Sequence, residues 1–66
     1  MENKDRYYKA LIENDGRLNE IDLGVYIGLN EDETTEIIAQ LLSEYKIDYK
    51  ENRNCKYTPV KAKIRK

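Results

Sequence analysis

Through the first two thirds of the chain apolar residues recur at intervals of three and four, and in the last third they alternate. Tyr8, Leu11 and Ile12 stand at i, i+3, i+4 among charged neighbours, which predicts an amphipathic helix over residues 4–14. Asp15 and Gly16 close it, because glycine accepts the left-handed backbone that ends a helix. After an extended "GRL" connection a second helix is expected from Glu20 to Ile27. Asn19 is at its N-cap, Asp22 at the capping-box position and Gly28 at its C-terminal stop. Leu23 and Ile27 share one face of it, Ile21 and Val25 another. Gly24 inside this helix costs about 1 kcal/mol relative to alanine, and reads either as the close approach of a neighbouring backbone or as local flexibility.

The third helix has the clearest signals. Asn30 and Glu33 form a capping pair, and Ile37, Ile38, Leu41, Leu42 and Tyr45 make a broad apolar stripe, so this helix is expected to be the central packing element. Only "GLN" separates it from the second helix, which forces a sharp helix-turn-helix. Beyond Tyr45 the period becomes 2. "IDYK" alternates, "ENRN" supplies turn formers and "CKYTP" alternates again, the pattern of a β-hairpin with a short loop. "VKAKIRK" keeps Val60, Ala62 and Ile64 on one side and Lys61, Lys63 and Arg65 on the other. Residues 60–66 are either a strand extension or a basic tail. Without repeats or a linker, residues 1–66 read as a single domain.

The order helix, short strand, helix, turn, helix, hairpin resembles the winged helix-turn-helix family, up to about Pro59. The Gly-hydrophobic pair that ends the family's second helix matches Gly28 and Leu29. The recurring positions of its third helix match Thr34, Ile38 and Leu41, and the hydrophobic start of its wing matches Ile47, followed by "ENRN". The resemblance implies an α+β, mainly α, fold of three helices plus a C-terminal β-hairpin wing, of a small bacterial, DNA-binding type. It also implies that the N-terminal part of the third helix faces the bases and phosphates.

Composition narrows the function classes. A chain of 66 residues, 39% hydrophobic and 38% charged, is a small domain that buries only about 60% of its unfolded surface. It has no apolar run near the roughly 20 residues of a membrane span and no signal-peptide pattern, so a soluble, cytoplasmic protein is expected. The single cysteine, Cys55, has no internal disulfide partner and reads as a small, half-buried hairpin residue rather than a redox switch. With no histidine, no zinc-type spacing can be assembled, and neither a metal nor a cofactor is expected. The commonest general base is missing too, no Ser or Cys has an activating context, and the chain has little material to wall a pocket around paired carboxylates. Catalysis is not expected.

Charge is where the family pattern and this chain diverge. The net charge of −1 hides an asymmetry. Residues 1–17 balance Lys4, Arg6, Lys9 and Arg17 against Glu2, Asp5, Glu13 and Asp15. Residues 18–45 hold Glu20, Asp22, Glu31, Asp32, Glu33, Glu36 and Glu44 and no base. Residues 46–66 hold Lys46, Lys50, Arg53, Lys56, Lys61, Lys63, Arg65 and Lys66 against Asp48 and Glu51. The helix that would enter a groove therefore begins with carboxylates, each repelling a phosphate about 6 Å away by roughly 0.7 kcal/mol even in water. The same acids stabilise the helix start by about 0.3–1 kcal/mol each through the macrodipole.

Two candidate surfaces follow. Lys50, Arg53 and Lys56 on the wing and Lys61, Lys63, Arg65 and Lys66 beyond it form a basic surface for weak, backbone-dominated contact with duplex DNA, with Thr35 and Gln40 as base contacts. Tyr49 and Tyr57 lie near enough in sequence to stack or to pack. The same lysines also read as a solvated strand edge that discourages aggregation. Alternatively Glu31, Asp32, Glu33 and Glu36 form a protein-interaction surface for a basic partner or a second copy. Of the 6 tyrosines, Tyr8, Tyr45 and Tyr57 fall on apolar faces and are expected in the core, whereas Tyr7, Tyr26 and Tyr49 are candidates for the surface. The expected function is that of a small DNA-associated, transcription-regulator-like protein acting through its basic wing and C-terminal segment.

Overall fold

The computed structural model describes residues 2–60. Its elements are α1 (Asn3–Asn14), α2 (Glu20–Tyr26), α3 (Glu31–Ser43), β1 (Ile47–Asp48) and β2 (Thr58–Pro59). The fold is mainly α with an antiparallel β-hairpin, an α+β arrangement compatible with a winged helix. β1 and β2 pair in the register Ile47↔Pro59 and Asp48↔Thr58. The short strand expected between the first two helices is absent: residues 16–18 form a turn and bend that meets the hairpin loop at Gly16, whose carbonyl accepts from the Asn54 N–H at 2.9 Å and which packs closely against the Asn52 backbone.

Caps start α2 and α3 where the sequence places them. The Asn19 side chain accepts from the Asp22 N–H at 2.8 Å. Asn30 and Glu33 form a reciprocal capping box, with bonds of 2.8 and 3.0 Å, so two otherwise unpaired backbone donors are satisfied at the turn. α2 and α3 end in the same way. Leu29 N–H donates to the Gly24 carbonyl and Gly28 N–H to the Val25 carbonyl; Lys46 and Tyr45 N–H donate correspondingly to Leu41 and Leu42. These are Schellman closures, which need a left-handed residue just past the cap. Gly28 fills that position at φ +94° after α2, and Tyr45 fills it at φ +61° after α3.

That second closure corrects the expected place of Tyr45. The helix stops two residues before it, the chain reverses, and its ring is 83% exposed instead of extending the apolar stripe. The register of α1 also differs from the expected one. Tyr7 and Leu11 are buried, whereas Tyr8 is half-buried and Ile12 exposed. The inward stripe continues to Asn14, a polar residue that is buried because its amide binds both the N–H and the carbonyl of Leu18. Its satisfied hydrogen bonds remove the usual penalty for burying an amide. Tyr57 is partly buried against the core, and Cys55 is fully rather than half buried.

One core holds these elements together: Tyr7 and Leu11 of α1, Leu23 of α2, Ile37, Ile38 and Leu41 of α3, Leu29 from the turn, and Ile47 and Cys55 of the hairpin. α1 grips α2 at both ends, Tyr7 Oη donating to the Glu20 carbonyl at 2.8 Å and Arg6 to the Ile27 carbonyl at 2.7 Å. Gly24 marks a close approach, as the sequence suggests, but to a side chain instead of a backbone. A Cβ there would overlap the buried Thr34, whose hydroxyl donates to the Asn30 carbonyl at 2.8 Å. Among the described residues no helix is long and apolar enough to cross a membrane.

Candidate nucleic-acid interface

The hairpin presents its cations from a loop that is fastened to the body. Between the strands, Asn52 and Cys55 exchange backbone hydrogen bonds of 2.7 and 3.0 Å, closing a two-residue turn with Arg53 at φ +59°. This tip does not project freely. Asn54 donates from its backbone to Gly16 and from its side chain, at 2.8 Å, to the Arg17 carbonyl. Cys55 lies beneath, and burial pushes its thiol above its ordinary pKa, which favours the uncharged form.

Lys50, Arg53 and Lys56 are all exposed, and none forms an ion pair among the described residues. They occupy different stations. The Lys50 carbonyl accepts from the Thr58 hydroxyl at 2.7 Å near the base of the loop, Arg53 is at the tip, and Lys56 donates its N–H to Glu20 Oε1 at 3.1 Å beside the start of α2. The carboxylate of Glu20 therefore sits next to the Lys56 backbone and partly offsets the local positive charge. The backbone of Arg17, which the sequence groups with the balanced N-terminal segment, is tied to this loop through its carbonyl bond to Asn54. Only a tertiary contact reveals it. The expected sites Lys61, Lys63, Arg65 and Lys66 lie outside the described residues.

Thr35 and Gln40 are both exposed on α3 but do not share a face, since five residues at 3.6 per turn separate them by about 140°. Gln40 borders a shallow cleft with Asn3, Lys4, Glu33 and Glu36. The exposed start of α3 carries Glu31, Asp32 and Glu36, while the Glu33 side chain is engaged in the capping box. Glu44, at the far end, is paired: Lys4 donates to it at 2.6 Å and Lys46 approaches at 3.7 Å. The hydrogen bond from Lys4 lowers the pKa of Glu44 and raises that of Lys4. Lys46 also stands 5.8 Å from the Tyr8 ring centre. On α3 itself, the acids without a cation partner among the described residues thus lie in its first turns, while Asp48 and Glu51 are exposed acids on the hairpin. Among the described residues no group of His, Cys, Asp and Glu is arranged to hold a metal ion.

Comparisons of this chain with protein-family models, with curated proteins and with solved structures find no match.

Proposed function

We propose that the chain is a winged helix-turn-helix binding protein that associates with duplex DNA through phosphate contacts from its hairpin, without reading a groove with α3. One observation carries this reading: Lys50, Arg53 and Lys56 are exposed cations without ion-pair partners among the described residues, while every charged group at the start of α3 is a carboxylate. Further basic residues, Lys61, Lys63, Arg65 and Lys66, follow in the sequence and extend the supply of positive charge. Contacts of this kind are salt-sensitive and indifferent to sequence. Exchanging Lys50, Arg53 and Lys56 together for glutamine tests the reading by duplex affinity measured across a salt series. The variant is expected to bind more weakly, with a slope of log affinity against log salt flattened by up to about 0.9 for each phosphate it no longer neutralises. Unchanged affinity and slope would overturn it.

A second reading is supported by the exposed Glu31, Asp32 and Glu36, which have no cation partner among the described residues. In it the scaffold serves as a protein-interaction module, with the start of α3 docking on a basic partner.

A further inference from the structure

The hairpin carries one feature that phosphate contact does not use. Tyr49 is 71% exposed, yet its ring is not isolated: it meets Tyr57 in an edge-to-face pair with centroids 5.4 Å apart and planes at 65°. The pairing follows from the ladder, since Asp48↔Thr58 is in register and Tyr49 and Tyr57 are the next residues outward on the two chains. Tyr57 is itself partly buried against the core. Tyr49 is therefore held at one side by an anchored neighbour, and an edge-to-face contact occupies at most one of its two faces. Lys50 follows it directly and Lys56 precedes Tyr57, so two exposed cations accompany the pair. Asp48 and Glu51 are the nearest acids in sequence.

A steadied aromatic ring with an open face, on a hairpin that also exposes Lys50 and Lys56, suits a ligand that is flat, aromatic and anionic at once. We infer that Tyr49 is a stacking platform for an unpaired nucleobase, and that the hairpin binds single-stranded nucleic acid through this ring and its flanking lysines. The inference rests on the nucleic-acid reading of the hairpin and extends it from duplex phosphates to strands with unpaired bases. In a duplex each base has its faces covered by its neighbours, so the ring has nothing to stack on; an unpaired base exposes both. Stacking of this kind tolerates any base, because every base has a π-face.

The test uses the full chain and labelled 12-residue probes: oligothymidylate, oligouridylate, an abasic strand of the same length, and a blunt duplex. The variants are Tyr49→Ala, Tyr49→Phe and, as a control for an exposed tyrosine off the hairpin, Tyr26→Ala. Tyr49→Ala is expected to weaken oligothymidylate or oligouridylate binding about 5- to 150-fold, whereas Tyr49→Phe and Tyr26→Ala leave it unchanged. The abasic strand should bind the parent no better than the base-bearing strand binds Tyr49→Ala. A tighter complex with the uridylate strand would assign the site to RNA, and with the thymidylate strand to DNA; loss of either in Tyr49→Ala supports the platform. If parent and Tyr49→Ala bind the base-bearing strands alike while salt-sensitive duplex binding persists, the platform is overturned and the phosphate reading stands. Binding to none of the four probes overturns both.

Discussion

At the scale of single residues, backbone conformation and burial make the sharpest statements. Tyr45 occupies a left-handed closure at φ +61° with its ring 83% exposed, so it bears the steric cost of that conformation without the return of burial. Tyr45→Gly should therefore stabilise the fold by about 0.5–1 kcal/mol, read as a higher thermal midpoint. A lower midpoint would mean that the closure does not form. Tyr7 makes the opposite case. Burial, with smaller contributions from Cys55 and Glu20, raises its pKa above the ordinary 10.0, and burial raises Cys55 above 9.0. A folded-state pKa above the unfolded value means stability fully present below the unfolded value and lost progressively as pH rises from there through the folded one. Stability should then decline from about pH 9 upward. Tyr7→Phe, which loses the bond to Glu20 and starts less stable, should decline less steeply above pH 10. Equal slopes in parent and variant would place the alkaline sensitivity elsewhere.

At the scale of elements, packing converts local signals into fixed geometry. Gly24 and Thr34 join α2 to α3 with no room for a methyl group. Gly24→Ala gains about 1 kcal/mol of helix propensity, yet overpacking of about 1–3 kcal/mol should prevail, and adding Thr34→Ala should restore part of the loss. If Gly24→Ala alone raises stability, the two helices are further apart than this packing requires. The acids of α3 define another element-level test. Neutralising Glu31, Asp32 and Glu36 as Gln, Asn and Gln should cost about 1–2 kcal/mol of helix-dipole stabilisation and modestly strengthen duplex binding by removing repulsion. If duplex binding does not change while a basic partner no longer binds, α3 is a protein-docking face.

These elements also mark what could be read in advance. The starts of α2 and α3 were legible because Asn19 and Asn30 act on donors three residues away, and the core of α3 because its period is strong. The register of α1 was not, since its inward stripe ends in Asn14, whose polarity conceals a buried position until Leu18 is seen to satisfy it. Nor was the tethered hairpin tip, because its bonds run from Asn54 to Gly16 and Arg17 across the whole fold. The candidate cations were legible as residue types, but their separate stations, the nearness of Glu20 and the steadied face of Tyr49 came only with tertiary structure.

At the scale of the molecule, the cations Lys50, Arg53 and Lys56 stand on the hairpin and the acids Glu31, Asp32 and Glu36 at the start of α3, and under the proposed function that separation sets which way a polyanion is met. Under that proposal, attraction of a duplex comes from the hairpin cations and repulsion from the start of α3. The most direct test is a chemical-shift titration of the chain with a short duplex at low salt, followed by addition of salt. The expected result is that amides of residues 49–57, with Gly16 and Arg17, shift in a salt-reversible manner while those of residues 31–36 stay in place. Shifts centred on residues 31–40, or none anywhere at low salt, would contradict hairpin-led DNA association.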